Sequence, residues 1–311
     1  MRNKFLSILV SVVAVLLIVS GCSKKNTGEN NSNTGNKKIH IVTTTTMLKD
    51  LIENIGGDKI EVEGLMGEGV DPHLYKPTAS DVEKLKKADV IIYQGLHLEG
   101  KMESIFSELK DKKIINASDG ISKDKIKLEE NGTPDPHIWF DIDIWKEVGD
   151  NIQNKLSEFY TDNKDAFKSN YDSYKKELDN LDKYVKMRAE ELSKEQRALV
   201  TAHDAFSYFA NRYGFDVLAI QGVSTEAEAT TSDIENLAKE ITDRKIKAIF
   251  VESSVPEKTI KSLQEAVKSK GHEITIGGEL YSDSLGDKAN NSETYIKTVK
   301  ANIDTIVNAL K

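Results

Sequence analysis

Asp71-Pro72-His73-Leu74-Tyr75 and Asp135-Pro136-His137-Ile138-Trp139 present a histidine in the same way twice. Proline fixes φ ahead of each histidine and biases the preceding aspartate toward extended backbone, so each imidazole projects from a stiff loop just before a helix. Stiff, repeated presentation is what metal ligation requires. Either histidine alone also reads as a turn residue that happens to follow Asp-Pro. A third, His203, stands where Thr201-Ala202-His203-Asp204-Ala205-Phe206 turns from strand to helix, a place that equally suits a buried structural histidine. Asp283 lies in a polar loop, 277–286, after the last strand, where a solvated carboxylate is the ordinary reading. Separations of 64, 66 and 80 residues mean that only tertiary folding can bring the four together.

Composition narrows the chemistry further. With 311 residues, 38% hydrophobic and 30% charged, the chain is globular and long enough for about two domains. Its one cysteine, Cys22, excludes a disulfide framework and any cysteine-built zinc or iron–sulfur site. Any transition-metal chemistry therefore falls to six histidines: His40, His73, His97, His137, His203 and His272. A formal charge of −8 argues against nucleic-acid binding, which needs a basic face, and favours a cation or a protein as partner.

The first 21 residues read as an address. Arg2 and Lys4 precede an apolar run, 5–19, broken by Ser7 and Ser11, and Ser20-Gly21 precede Cys22. That is the order of a signal peptide, and the run falls short of a comfortable membrane span of about 20 residues. Val19-Ser20-Gly21-Cys22 resembles a bacterial lipobox, which implies that cleavage leaves Cys22 as a lipid-bearing N-terminus. Residues 22–37, rich in Asn, Gly, Ser, Thr and Lys, then act as a flexible tether to the outer face of the cell membrane. Loss of the leader leaves 41 basic against 51 acidic residues, a net −10.

Two sets of alternating strands and helices must position the candidates. Strands are expected over 39–43, 60–65, 89–93 and 113–116, and again over 198–201, 217–220, 248–251 and 273–276. This alternation signals α/β layering with mostly parallel sheets flanked by helices. Ser232-Asp233-Ile234-Glu235 reads as a capping box, and Pro256 marks another helix start. Between the sets a stretch without Gly or Pro, 163–194, carries Phe167, Tyr171, Tyr174, Leu178, Leu181 and Val185 at spacings of three and four. It predicts one apolar stripe on a helix about 45 Å long, packed along two lobes or serving as a coiled-coil arm. The expected organisation is a lobe over 38–162, a stiff linking helix over 163–195 and a lobe over 196–311. Ligands of open α/β sheets bind outside the carboxyl ends of the strands, which places a site in the cleft.

The chain resembles the extracytoplasmic metal-binding lipoproteins of bacterial manganese and zinc ABC importers. The resemblance runs along the whole chain. It rests on the lipobox, on Met66-Gly67-Glu68-Gly69-Val70-Asp71-Pro72-His73-Leu74-Tyr75, on Gly95-Leu96-His97-Leu98-Glu99-Gly100, on Asp135-Pro136-His137-Ile138-Trp139, on Thr201-Ala202-His203-Asp204-Ala205-Phe206, on Phe250-Val251-Glu252-Ser253-Ser254 and on the Asp283 loop. It implies a metal-type periplasmic binding protein fold, with one Mn(II) or Zn(II) held between the lobes by His73, His137, His203 and Asp283. It also implies an ABC permease and its ATPase as partners for a monomeric, non-enzymatic chain. Three neutral imidazoles and a carboxylate suit a first-row divalent ion. Each imidazole then needs a partner for its other N–H, and Glu252 at a strand end is a candidate, unless it serves only to cap a helix.

Within the family a histidine-rich loop before the second Asp-Pro-His tends to mark zinc importers, and 118–134 holds no histidine, which leans toward manganese. Many manganese-specific members place Glu where this chain has His203, which pulls the other way. A surface adhesin, as some relatives have been called, is the alternative from another class. A metalloenzyme would need an open coordination position and a nearby general base. His40, His97 and His272 receive no metal role.

Overall fold

Ile39–Thr43 (β1) is β-branched at every position but His40, and all but His40 are buried, the composition of a strand covered on both sides. In the computed structural model, which describes residues 37–311, it pairs in parallel with Ile60–Gly64 (β2) and Val90–Tyr93 (β3), and β3 pairs with Lys113–Asn116 (β4). The order β2-β1-β3-β4 is an all-parallel sheet. The second set forms two parallel pairs: Ala198–His203 (β5) with Asp216–Gln221 (β6), and Ala248–Glu252 (β7) with Thr275–Leu280 (β8). The signal peptide, Cys22 and all but the last residue of the tether lie outside the described residues.

Helices cover these sheets: Thr46–Gly56 (α1), Ala79–Lys87 (α2), Glu103–Glu108 (α3), Ile142–Phe159 (α4), Lys164–Ala189 (α5), Ser207–Tyr213 (α6), Thr231–Arg244 (α7), Lys258–Ser269 (α8) and Tyr295–Leu310 (α9). Their starts follow capping chemistry. Thr78 and Asp81 close a capping box on α2, and the Asp141 carboxylate accepts from the Asp143 and Ile144 amides at the start of α4. On α7 the box is Thr230 with Asp233, two residues before the expected one at Ser232. Thr230-x-x-Asp233 satisfies the same pattern, and Thr230 holds the extended backbone a cap needs. The helix marked by Pro256 begins at Lys258.

The linking helix α5 joins the two lobes. It has 26 residues, about 39 Å at the helical rise, and ends five residues before the expected Lys194 because 190–193 turn into a short 3₁₀ segment, Lys194–Gln196. All six residues of its apolar stripe are buried inside the chain, so the stripe is core and not a coiled-coil seam. Gly149 of α4 lets the Tyr171 ring sit against that helix; a Cβ there would lie 2.3 Å from the phenol oxygen. One hydrophobic core runs from Ile41 and Val90 through Trp145, Tyr171 and Leu178 to Phe206, Phe250, Leu280 and Ile303. Because it is shared by both lobes and the linker, large rigid-body closure would tear apart close-packed surface.

Candidate metal centre

The parallel strands deliver two of the four candidates, and two loops of the first lobe bring the others to the same place. His203 is the last residue of β5, Asp283 follows β8 by three residues, and His137 immediately precedes the short turn Ile138–Phe140 that feeds α4. His73 comes from the loop between β2 and α2. His73, His137, His203 and Asp283 each offer one ligand atom, and these atoms lie within 4.8 Å of one another. His137 Nε2 and His203 Nε2 are 3.3 Å apart, and each stands 3.4 Å from an oxygen of Asp283. A tetrahedron with bonds of about 2.0–2.1 Å to its centre has edges of about 3.3–3.4 Å, so these pairwise separations, taken to the two Asp283 oxygens, are of the size that ligands of one divalent ion show. His73 Nε2 and Asp283 Oδ1 are buried without a hydrogen-bond partner in the protein. Orphaned buried acceptors are rare and costly, and a cation would satisfy both.

Neighbouring carboxylates fix the imidazoles. Asp135 Oδ1 accepts from the His137 backbone amide at 2.9 Å and from its Nδ1 at 2.7 Å, which leaves Nε2 facing the cluster. Glu252, at the end of β7, stands 2.7 Å from His203 Nδ1 through Oε2, a close ionic contact and not an aligned hydrogen bond. Its Oε1 accepts from the Ala202 and His203 amides at 2.8 and 3.0 Å. The contact of Glu252 with a candidate ligand, and not helix capping, is therefore what its geometry supplies. Asp71 Oδ1 accepts from the His73 amide at 2.8 Å, the same turn as at Asp135. Asp283 takes a further bond from Ser254 at 3.1 Å, and Trp139 Nε1 donates to the Ser282 carbonyl at 3.0 Å, anchoring the Asp283 loop to the first lobe.

Electrostatics split the three histidines. Burial pushes His73 down to about 3, so it stays neutral at physiological pH. Burial also opposes charge on His137, but Asp135 and Asp283 outweigh it and hold its pKa up to about 9. His203 is likewise raised well above its ordinary value, Glu252 and Asp283 overcoming burial. Asp283 is fully buried, which alone would raise it, yet the surrounding imidazoles hold it well below the carboxylate range.

The remaining histidines stay apart from the cluster. His272 Nε2 contacts the Ile246 carbonyl, His40 pairs with Glu63 at 3.5 Å, and His97 pairs with Glu103 at 2.6 Å on the surface. Asp135 is the functional neighbour that the sequence reading passed over. Its signal is in the sequence, because Asp precedes Pro-His in both motifs, but that pattern marks backbone bias as readily as a contact with the imidazole. Asp135→Asn is expected to weaken metal affinity about 10- to 100-fold while leaving the fold intact, because it turns a charged acceptor for Nδ1–H into a neutral one. Calorimetric titration of the variant checks this.

Residues 41–309 match the family described as zinc-uptake complex component A, periplasmic. The chain belongs to this family. Among relatives, the manganese-binding lipoprotein MntA of Bacillus subtilis is 42% identical over 98% of this chain and 99% of its own length. The zinc-binding protein TroA of Treponema pallidum is 46% identical over 87% of this chain and 88% of its own. The solved structure of that periplasmic zinc-binding protein superposes with a TM-score of 0.86 at 45% identity, covering 88% of this chain and 99% of the other. Family and neighbours agree with the expected two lobes of parallel sheet joined by a long helix.

Proposed function

We propose that this chain is the extracytoplasmic metal-binding subunit of an ABC importer, holding one divalent first-row ion with His73, His137, His203 and Asp283 and delivering it to a permease driven by an ATPase. One observation carries the reading: three imidazoles and a carboxylate converge at ligand spacing, with His73 Nε2 and Asp283 Oδ1 left without protein partners. Four protein ligands leave no coordination position for a reactive water, which is a carrier's arrangement and not a hydrolase's. Asp135 and Glu252 hold two of the imidazoles toward the ion. The chain acts as a monomer anchored to the outer face of the cell membrane through lipid on Cys22. Among the described residues no helix is long and apolar enough to cross a membrane.

The cargo is Mn(II). Support comes from the histidine-free stretch 118–134 and from likeness to a manganese-binding lipoprotein along nearly the whole chain. Zn(II) is the second reading, favoured by likeness to a zinc-binding relative and by the compact N₃O donor set. Zinc binds such a set more tightly in vitro along the Irving–Williams order, so the physiological cargo follows geometry and availability. Calorimetry of the leaderless protein is expected to give one site per chain for each ion, and elemental analysis of protein from native cells is expected to return manganese. Absence of binding by both ions overturns the carrier reading; zinc in the native protein overturns the cargo.

A further inference from the structure

Three of the four clustered side chains are sealed: His137 and His203 have no exposed surface and Asp283 is 2% exposed. His73, the fourth, lines a cavity of about 150 Å³ bounded also by Leu96, Pro136, Ser224 and Glu226. The larger cavities, of about 600 and 700 Å³, touch none of the four. At the His73 cavity, Lys101 spans from lobe to lobe. Its ammonium donates to the His73 carbonyl at 3.2 Å and pairs with Glu226 at 2.9 Å. Lys101 belongs to the 3₁₀ turn Gly100–Met102 of the first lobe, and Glu226 to the loop after β6 in the second. The neighbouring residue makes a second crossing: Thr225 Oγ1 donates to Asp71 Oδ2 at 2.6 Å, and the other Asp71 oxygen caps the His73 amide. One loop of the second lobe thus restrains the His73 segment through two contacts.

We propose that the cavity beside His73 is the port through which a divalent cation passes between solvent and the four-ligand centre, and that the Lys101–Glu226 bridge is the bar across it. The inference rests on the carrier reading above. The bar suits its task because it is weak. Lys101 and Glu226 are 33% and 57% exposed, and an ion pair so solvated contributes little to stability and opens readily. His137 and His203, by contrast, are held by the buried carboxylates of Asp135 and Glu252, contacts far more costly to separate. The Lys101 charge also faces an approaching cation, so a closed bar repels as well as blocks.

Rates test the port. The full chain is loaded with Zn(II) and mixed with excess chromophoric chelator in a stopped-flow instrument, and uptake is followed in the reverse experiment. Glu226→Gln breaks the bridge but keeps the lysine charge; Lys101→Met removes both; Ser224→Trp fills the cavity. None of these residues is among the four. Both bar variants are expected to release and take up zinc faster, about threefold in Glu226→Gln, which loses the ion pair, and about tenfold in Lys101→Met, which also loses the charge-assisted bond to the His73 carbonyl, with Kd changed less than about threefold, because these contacts are lost from the closed state only. Ser224→Trp is expected to slow both directions. Rates unchanged in all three variants, with wild-type binding intact, overturn the port alone. Acceleration only in Lys101→Met reduces the bridge to simple repulsion and overturns the bar. A wild-type chain that binds neither zinc nor manganese removes the carrier reading and the port with it.

Discussion

His137→Ala is expected to weaken binding of Mn(II) or Zn(II) by about 100-fold or more. Four ligands share a binding free energy of about 10 kcal/mol or more in sites of this type, so one imidazole is worth about 3 kcal/mol, two decades in Kd. The substitution also strands a buried carboxylate, and that cost falls on the fold and not on the affinity. Asp135 Oδ1 accepts from His137 Nδ1 at 2.7 Å, and the aspartate is 2% exposed. An unpaired buried charge costs desolvation energy without opposing the cation, so the metal-free protein is also expected to lose stability. Circular dichroism separates the two effects, and His40→Ala, which changes a partly exposed histidine outside the cluster, serves as the control. Calorimetric titration in which His137→Ala matches wild type would remove His137 from the ligand set.

Much of the architecture was legible because its signals are local. β1 and β5 are short β-branched or apolar runs that a parallel sheet covers on both faces, and the α5 stripe from Phe167 to Val185 kept helical spacing over five turns. What could not be read was pairing across the fold. The contacts of Glu252 with His203 and of Thr225 with Asp71 join residues 49 and 154 positions apart, and no periodicity records either. Element ends slipped where two cap patterns compete, as at Thr230 and Ser232. The two Asp-Pro-His motifs were visible as a pair, yet their aspartates carry different second contacts. Asp135 turns inward to the imidazole, whereas Asp71 reaches across the cleft to Thr225. That difference makes His137 a fixed imidazole and leaves His73 on a segment held by the opposite lobe.

A core shared by both lobes and the linking helix limits how such a centre can give up its ion. Ile41 and Val90 of the first sheet, Tyr171 and Leu178 of the linker, and Phe250 and Leu280 of the second lobe belong to one packed cluster. A hinge motion would have to separate these surfaces, at a cost comparable to the whole stability of a domain. Local movement of the loops carrying His73 and residues 222–227 disturbs little of that core.

Metal affinity is expected to rise steeply with pH, by up to about 100-fold per unit between pH 5 and 8, as an ion displaces close to two protons. In the metal-free site His137 holds its proton up to about pH 9, Asp135 and Asp283 overcoming the opposing effect of burial. Glu252 and Asp283 overcome burial at His203 in the same direction. His73, pushed down to about 3 by burial, has no proton to give. A divalent ion therefore replaces two imidazolium charges beside buried carboxylates, and the charge of the closed site is nearly unchanged by loading. The sign also fixes the stability of the metal-free protein. A histidine whose folded pKa exceeds its unfolded value of about 6.5 stabilises fully below that value and loses its contribution as pH rises through about 9. His73 acts oppositely, its share being complete above about 6.5 and lost as pH falls toward 3. The thermal midpoint of the metal-free chain should thus fall from pH 6.5 to 9 while that of the loaded chain does not, since bound metal replaces those protons. Calorimetry at pH 7 in buffers of different ionisation enthalpy counts the protons released directly; a count near zero with binding retained would show that the empty site keeps both histidines neutral.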